Sequence, residues 1–436
     1  MEKLLELASK SGCSAEIYQQ RTRSVELTRR EGRVVDTSAS IQSGCAIRII
    51  RNGRMGTAYT KNLLDRQALL DRALLSLENG PEVEFEFPRT VIEPDTGAWH
   101  DKVEHSGFPE AQEACVELED LAGSLGRDCL DTSAGSAAET VRIMNTSGTD
   151  ILHRSTGMTG WISARYPGTE TGLNAGFAGE SGIPVNPEVV RNLCEMYTSS
   201  LPEVRAGDGR MQVMFLPGSL YGIIWRLTAA AGARAFHSGA TPLKDRKGES
   251  VLSGKLTLVS DPSLDPPVAR RAFDDEGVPT RRLAIFDRGV FTGSYTNLFY
   301  AAKLGIEPTG TGFRSGMWGG DTVSLAPEPS FRNGTFQTGE ATFEEMLGMM
   351  DRGIIAFGLL GAHSGNIING DFSVGFNPGL LVEKGRIVGR VKDGMMAGNV
   401  YDVLKRVVAV QDRPFNPGSS RRDPAVLLDG VSVSGK

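Results

Sequence analysis

Residues 45–60 read Cys-Ala-Ile-Arg-Ile-Ile-Arg-Asn-Gly-Arg-Met-Gly-Thr-Ala-Tyr-Thr, and this stretch decides the fold of the N-terminal part. The β-branched run before Asn52-Gly53 predicts a strand, and Asn-Gly is a strong signal for a hairpin turn. The residues after the turn predict the returning strand. Upstream, residues 25–29 alternate apolar and polar side chains, which predicts another half-buried strand.

Helical patterns flank these strands. Residues 2–10 and 62–79 place Leu and Ala near helical spacing, and Gly80-Pro81 ends the second pattern. Strands and helices over residues 1–80 therefore predict an N-terminal α/β subdomain.

Shifts in composition divide the rest of the chain. Residues 81–109 are rich in Pro, Glu and Asp and predict a linker, while 110–205 predict a middle α/β subdomain. Residues 210–436 contain short strand patterns broken by Gly, Pro and Asn. Helical patterns interrupt them at about 220–235, 343–353 and 399–407. We predict an α+β fold, with an N-terminal α/β region of hairpins and helices before a larger, mainly antiparallel β C-terminal domain with inserted helices.

Charge and cysteine usage exclude several classes of protein. The chain has 436 residues and a formal net charge of −6, which argues against nucleic acid as the main partner. Its five Cys are scattered and never in CxxC spacing, which predicts reduced thiols. The acidic start does not resemble a signal peptide, and no stretch of about 20 residues is apolar and uncharged. We expect a cytoplasmic protein without membrane contact.

Metal-binding patterns are weak. None of the five His is followed by Glu, so HExxH and HExxxH are both missing. His100 and His105 enclose two acids, but a separation of five residues would turn the two rings roughly 140° apart on a helix. A solvated linker is favoured over a cation site there.

Two further segments offer polar clusters. Asp274, Asp275 and Glu276 precede a Gly, and they could hold a divalent cation or the amino end of a peptide. The simpler interpretation is an acid-rich turn that accepts hydrogen bonds from nearby backbone. Arg314 ends a short Gly-rich turn that begins at Gly310, where a tight bend is favoured over a phosphate site.

The segment Gly361-Ala-His-Ser-Gly-Asn366 contains His363, the side chain that we consider the first choice for mutation. His363 alone in this segment titrates near neutral pH. Ser364 follows it directly, and adjacent residues rarely form a working Ser–His pair. Contacts with backbone or with a ligand are the alternative. Our candidates for peptide binding or for an interface are His363, Ser364, Asp371, Asp274, Asp275, Glu276 and Arg314, and we predict no catalytic or metal-ligating residue in this chain.

Basic residues cluster at 21, 23, 29, 30 and 33 on a predicted strand, interspersed with Glu26 and Glu31. The mixed signs favour a solvated sheet face over a nucleic-acid patch.

Several strings together resemble the TldD/PmbA family, whose members are also called modulators of DNA gyrase. They are residues 44–53 and 56–60, Phe273-Asp-Asp-Glu-Gly-Val-Pro-Thr280 with Arg281, Thr309-Gly310 after residues 301–305, Ser364-Gly365, residues 370–375, 381–387 and 397–399. The strings keep their order over nearly the whole chain. The resemblance implies cytosolic dimeric proteases of peptides and unfolded chains, in which a TldD-type subunit carries a zinc-binding HExxxH helix and a PmbA- or TldE-type subunit lacks it.

The helix after Leu216-Pro-Gly218 decides between these types. Residues 221–232 read Tyr-Gly-Ile-Ile-Trp-Arg-Leu-Thr-Ala-Ala-Ala-Gly, without His or Glu, so none of them can ligate zinc or activate its water. We therefore expect a PmbA/TldE-type subunit that has no cofactor of its own, with zinc only in a TldD-type partner, or a dimer with itself.

Two alternatives remain open. The chain could be a stand-alone peptide-binding or regulatory homodimer without proteolysis. It could also be an enzyme with another site, formed by His363 with Asp371 or with the acids at 274–276. Direct gyrase or DNA binding is the least favoured function, because the chain is acidic.

Overall fold

The computed structural model describes residues 1–92, 98–263, 270–316 and 319–435. Residues 93–97 of the predicted linker and residues 264–269, 317–318 and 436 of the predicted C-terminal domain lie outside this description. Large, mainly antiparallel sheets with inserted helices confirm the predicted α+β class. Among the described residues, no helix combines the length and the apolar character needed to cross a bilayer.

One antiparallel sheet organises the N-terminal part. Its strands are β1 (Ser14–Arg30), β2 (Arg33–Arg51), β3 (Arg54–Thr60), β4 (Leu130–Asn145), β5 (Asp150–Arg165) and β6 (Gly172–Gly179), in the order β3-β2-β1-β4-β5-β6. The helices of this part are α1 (Glu2–Lys10), α2 (Arg66–Ser76), α3 (Asp101–Glu104), α4 (Phe108–Leu121) and α5 (Pro187–Ser199). Asn52 and Gly53 form the turn between β2 and β3 with φ of 53° and 72°, which confirms the predicted hairpin.

Strands from residues 1–80 and from 110–205 lie in the same sheet. β1 pairs with β2 on one side and with β4 on the other, from Glu16 opposite Asn145 to Arg30 opposite Asp131. The two predicted subdomains are consecutive in the chain, but they share one sheet. The β1–β4 pairing that joins them links residues more than a hundred positions apart in sequence. The intervening segment includes the short helix α3, and α4 begins at Phe108, before the predicted end of the linker.

The C-terminal part is built on a larger sheet. Its strands include β7 (Glu203–Val204), β8 (Gly209–Phe215), β15 (Arg352–Ala356), β16 (Leu359–Leu360), β17 (Asp371–Phe376), β18 (Gly379–Glu383), β19 (Arg386–Val391), β20 (Gly394–Asn399), β21 (Val407–Val410) and β22 (Val426–Gly435). Most neighbours are antiparallel, and the parallel pairs are β8 with β15 and β7 with β19.

Smaller strands and the remaining helices complete this part. A four-stranded sheet has the order β11-β10-β9-β14, and β12 pairs with β13. These strands are β9 (Leu258–Ser260), β10 (Leu283–Asp287), β11 (Val290–Phe291), β12 (Gly312–Phe313), β13 (Glu328–Pro329) and β14 (Thr335–Phe336). The helices are α6 (Pro217–Ala231), α7 (Ala233–His237), α8 (Leu298–Leu304), α9 (Phe343–Gly348) and α10 (Val400–Val403).

A shared apolar core fixes the two parts together. Ile162 and Phe177 of the N-terminal sheet, Leu193 of α5, and Met214 and Ile355 of the C-terminal sheet belong to one buried cluster. Burial of apolar area against a common core stabilises both parts at once.

One arginine of the basic cluster, Arg29, is buried. Arg29 is 9% exposed, and its Nε donates to Glu119 Oε1 of α4 over 2.7 Å. The prediction of a solvated face is wrong for this position, because α4 covers that face of the sheet and supplies a carboxylate.

Candidate functional site

Helix α6 begins where the strand β8 leaves the large sheet. Pro217 occupies the first turn, where its missing N–H costs nothing, and the Ser219 hydroxyl donates to the carbonyls of Leu216 and Ala356. One side of the helix packs in the core through Leu220, Ile223 and Leu227. The helix is therefore held rigidly against the parallel pair β8–β15.

The other side of α6 borders a groove of about 480 Å³, called here the α6 groove. The helix contributes Tyr221, Trp225 and Thr228, which recur every three to four residues and are only partly buried. Residues 333–338, which contain the strand β14, form the second wall, and residues 420–423 form the third.

β14 is the last strand of its sheet, so one of its edges has no neighbouring strand among the described residues. The Gln337 N–H donates to the Thr257 carbonyl over 2.9 Å, so the backbone of Gln337 faces the side of β14 on which β9 lies. Because backbone groups alternate in direction along a strand, those of Phe336 point the other way. Phe336 is only 1% exposed and its carbonyl accepts from the Thr335 hydroxyl over 3.1 Å, so the strand edge that borders the groove is short and largely buried.

The third wall is charged. Arg421 Nη2 lies 2.6 Å from Asp423 Oδ2, and Asp423 is only 2% exposed. Oδ1 of the same carboxylate is buried without a hydrogen-bond partner among the described residues. The groove thus combines an aromatic wall, a strand edge and an ion pair.

Arg226 attaches a Gly-rich segment to the inner side of α6. Its guanidinium is buried and donates to three carbonyls, those of Gly222 at 2.8 Å, Ser364 at 2.7 Å and Asp371 at 2.7 Å. Burial lowers the pKa of Arg226, and the nearby charge of Asp371 only partly opposes this effect. A Cβ added at Gly222 would lie 2.6 Å from Leu359 Cδ1, so Gly permits the close approach of β16 to the helix.

The structure brings His363, Ser364 and Asp371 together in this segment beside α6. Ser364 accepts from Arg226 through its carbonyl, and its N–H donates to Gly361 O over 2.8 Å. The Asp371 carboxylate accepts from Asn399 Nδ2 at 2.9 Å, and His363 is exposed. Ser364 and Asp371 contact α6 through their backbone carbonyls, which sequence reasoning about side chains did not anticipate.

The acids at 274–276 lie elsewhere, in the contact between the two parts of the molecule. Asp274 is fully buried and accepts from the N–H groups of Glu276, Val278 and Gly312 at 3.0, 2.9 and 2.8 Å. This geometry confirms an acid-rich turn that accepts backbone hydrogen bonds. Burial raises the pKa of Asp274, the charge of Glu276 raises it further, and the three N–H groups oppose the shift.

Glu276 joins this turn to the N-terminal sheet. Its Oε1 accepts from Arg48 Nη1 at 2.7 Å, and its Oε2 accepts from the Leu298 N–H at 2.7 Å. Arg48 also makes a two-pronged contact with Glu16, at 2.9 and 2.8 Å. Burial would lower the pKa of Arg48, but the two carboxylates outweigh burial and raise it. Burial raises the pKa of Glu276 despite Arg48.

Arg314 lies in the same contact region. Its N–H donates to Asp275 Oδ2 at 2.8 Å, and its guanidinium lies 4.6 Å from the centre of the Tyr18 ring. Asp275 also accepts from Arg271 Nη2 at 2.9 Å. Burial and the charge of Arg48 lower the pKa of Arg314. Arg314 and the three acids are therefore grouped with each other, and not with His363.

The linker histidines point to different partners. His100 Nε2 lies 3.8 Å from Glu180 Oε1, whereas His105 Nδ1 lies 2.7 Å from the Asp101 carbonyl. Within the described ranges, no three His, Cys, Asp or Glu side chains are grouped as a metal would require.

Comparison with known proteins identifies the family. Residues 208–435, more than half of the chain, match the model of the PmbA/TldA metallopeptidase C-terminal domain, and residues 15–79 match that of PmbA/TldA metallopeptidase domain 1. The chain belongs to the PmbA/TldD metallopeptidase family. The resemblance drawn from the sequence strings is thereby confirmed.

Relatives of full length agree with this PmbA/TldD assignment. Metalloprotease PmbA of Escherichia coli O157:H7 is 26% identical over 99% of this chain and 94% of its own length. TldE from Thermococcus kodakarensis shares the fold with a TM-score of 0.87, at 24% identity and full coverage of both chains. A Thermotoga maritima protein named as a candidate modulator of a DNA gyrase gives a TM-score of 0.83, at 25% identity and 99% coverage of both.

Sequence reasoning missed two parts of this candidate site. Arg226 was noted only as a residue unable to bind zinc, although a lone Arg in an otherwise apolar helix, four residues after Gly222, signals a buried anchoring contact. The groove wall at 333–338 gave no signal, because the strand β14 has only two residues.

Proposed function

We propose that this chain is a PmbA/TldE-type subunit that binds extended peptides in the α6 groove and supports peptide hydrolysis by a metal-bearing TldD-type relative in the cytoplasm. The observation that carries the proposal is α6 itself. The helix borders a groove lined by the outermost strand of the small sheet, yet it contains no residue of the kind that binds zinc. Membership of a metallopeptidase family supports a peptidase-related role.

The side chains on α6 do not suit a zinc ion. Zinc in proteins is bound by thiolate, imidazole and carboxylate groups. The groove side of α6 offers instead a phenol, an indole and a hydroxyl, from Tyr221, Trp225 and Thr228. Zinc would therefore come with the partner, and this chain would contribute peptide binding and the shape of the site.

Strand addition explains how such a groove could accept many sequences. Hydrogen bonds between backbones do not depend on side-chain identity, so a peptide laid along the β14 edge would be bound in any sequence. Pairing there would require the edge to open, because Phe336 is 1% exposed and its carbonyl accepts from the Thr335 hydroxyl over 3.1 Å. Trp225 and Tyr221 would pack against the peptide's side chains from the opposite wall.

The first test measures peptide binding by the isolated chain. We expect a fluorescent, extended peptide of about ten residues to bind, with Trp225→Ala weakening the affinity by about tenfold, as a central aromatic anchor does. Trp161→Ala is the matched control, because Trp161 is exposed on β5 outside the groove. Equal loss in the two variants would contradict a peptide site in the α6 groove.

The second test separates the subunit role from stand-alone peptide binding. A TldD-type relative should cleave a peptide faster with this chain than without it, and Trp225→Ala should reduce that gain. If the chain binds peptide but never changes the relative's rate, the stand-alone peptide-binding homodimer is the better description. Chelator-resistant cleavage by the isolated chain, lost in His363→Ala, would instead favour an independent enzyme.

A further inference from the structure

A second cavity opens where the N-terminal and C-terminal parts of the molecule meet. It has a volume of about 460 Å³ and is called here the α5 cavity. Helix α5 forms one wall with Val189 and Leu193, and α9, the start of β19 and residues 411–417 form the other. Sites for small molecules typically have about 300–1,000 Å³ and often lie between domains. The α5 cavity shares no lining residue with the α6 groove.

The inner surface of the α5 cavity is apolar and partly aromatic. Val189, Leu193 and Phe357 line it and are otherwise buried in the shared core. The half-buried rings of Phe343 and Phe415 lie beside them, with their centres 5.4 Å apart and their planes at 59°. Aromatic rings pack favourably face to edge or offset, so these two rings suit a ligand that is itself aromatic.

Charged side chains occupy only the rim of the cavity. Glu188 Oε1 lies 4.0 Å from Arg413 Nη2, and the two side chains are 56% and 54% exposed. The charged residues that line the cavity are all exposed, namely Glu188, Glu195, Glu344, Arg386 and Arg413. Water screens charges at such positions, and the buried surface offers no ion to a charged ligand. The inner part of the cavity therefore favours a neutral ligand.

One polar side chain interrupts this apolar surface. Gln411 is 3% exposed, and its Oε1 accepts from the Ala425 N–H over 3.1 Å, which fixes the orientation of the amide. Its backbone is fixed as well, through the Ala425 carbonyl at 2.9 Å and the Gly339 N–H at 2.7 Å. Gln411 Nε2 has no hydrogen-bond partner among the described residues, yet it is not one of the unpaired polar atoms that are closed to solvent. Because Gln411 lines the α5 cavity, Nε2 presents an unused donor to it.

We propose that the α5 cavity binds a small, neutral aromatic molecule whose carbonyl oxygen accepts a hydrogen bond from Gln411 Nε2. The ring of the ligand would pack against Phe343 and Phe415, and burial of its apolar surface would supply most of the affinity. The carbonyl would fix its orientation, because a donor held in a buried position gains most from an acceptor. This inference does not depend on peptide binding in the α6 groove.

The test compares two probes, indole-3-carboxamide and indole, by isothermal titration calorimetry. The probes share a ring, but only the first has a carbonyl. We expect the parent chain to bind indole-3-carboxamide about fivefold to tenfold more tightly than indole, as one hydrogen bond would give. Gln411→Met removes the donor at similar volume and should abolish this preference. Gln42→Met is the matched control, because Gln42 is exposed on β2 outside the α5 cavity.

Phe415→Ala gives a readout that leaves Gln411 in place, and it decides the question if circular dichroism shows that Gln411→Met does not fold. Both probes should bind about fivefold to tenfold more weakly to Phe415→Ala, because the ring loses an aromatic partner. Absence of binding, equal affinity of the two probes for the parent chain, or a preference that persists in Gln411→Met would overturn the proposal. Weaker binding to Trp225→Ala but not to Phe415→Ala would also overturn it, because the probes would then lie in the α6 groove.

Discussion

Two buried arginines connect separate parts of this molecule, one through carboxylates and the other through backbone carbonyls. Arg48 joins the N-terminal sheet to the C-terminal part through two carboxylates, Glu16 and Glu276, and all three side chains are at most 5% exposed. Arg226 joins α6 to the segment at 361–371 through the carbonyls of Ser364 and Asp371, donates also to Gly222 of its own helix, and has no carboxylate partner among the described residues. The pKa of Arg48 is accordingly raised by its partners, while burial lowers that of Arg226.

The difference predicts where each arginine matters. Removal of the cation from a buried cluster of one arginine and two carboxylates leaves uncompensated buried charge. An arginine bound only by carbonyls leaves neutral acceptors when it is removed, and its own costly burial is relieved at the same time. Arg48 should therefore dominate the stability of the whole chain, and Arg226 the local order beside the α6 groove.

The largest effect is expected for Arg48→Met. This variant leaves Glu16 and Glu276 buried without a cation, so we expect a loss of about 3–5 kcal/mol in the free energy of unfolding at pH 7. Urea denaturation at pH 7 measures it. Adding Glu16→Gln and Glu276→Gln to the same chain should recover part of the loss, since the uncompensated charges are then gone. A loss below 1 kcal/mol in Arg48→Met would contradict the dominant contribution of Arg48 to stability.

The next largest effect is expected for the buried imidazole of His153, which resists protonation in the folded chain. Burial, with the charges of Arg271 and Arg332, lowers the pKa of His153 from 6.5 to about 3. Because this pKa is depressed in the folded state, His153 contributes stability above pH 6.5 that is lost as pH falls towards 3. The loss at pH 5 is about 2 kcal/mol, from 1.36 kcal/mol per pH unit below the unfolded pKa.

His153→Phe checks this sign. The variant should lose about 2 kcal/mol less than the parent chain between pH 7 and pH 5, measured by urea denaturation at both values. His105→Gln is the control, because His105 is exposed on the linker. An unchanged pH dependence in His153→Phe would show that His153 does not remain neutral in the folded chain.

A smaller effect is expected for Arg226→Met. Three carbonyls lose a charged donor, but the burial of an uncompensated guanidinium is relieved, so we expect a loss of about 1–2 kcal/mol. Hydrogen exchange should rise most at residues 361–371. Arg234→Met on α7 is a control, because Arg234 carries its charge on the exposed surface. Uniform exchange changes across the chain would contradict the local role of Arg226.

The comparison also shows what a sequence can and cannot predict. The hairpin at Asn52-Gly53 and the acid-rich turn at Asp274 are local, because their signals lie within a few residues. Arg48 and Glu276 are separated by 228 positions, and Arg226 and Asp371 by 145. Composition and periodicity say nothing about such pairs, so these contacts required the three-dimensional structure.

The same distinction between local signals and contacts of distant residues applies to the candidate site. The helix without zinc ligands and the segment containing His363 were both identified from local strings. Their attachment through Arg226 and the groove wall at 333–338 were not, because backbone carbonyls and a two-residue strand leave no pattern in the sequence. Arg29 was misjudged for a related reason, since its partner Glu119 lies on a helix 90 residues away.

The smallest effect is expected for an Arg–Glu pair on the surface of the molecule. Arg54 Nη2 lies 3.2 Å from Glu82 Oε1, but the two side chains are 46% and 75% exposed. Water and salt screen this pair, so we expect Glu82→Gln to change the free energy of unfolding by about 0–0.5 kcal/mol. Urea denaturation beside Glu16→Gln, which removes one carboxylate from buried Arg48, gives the contrast. Equal losses in the two variants would mean that contact geometry, and not burial, sets the strength of the Arg48 cluster.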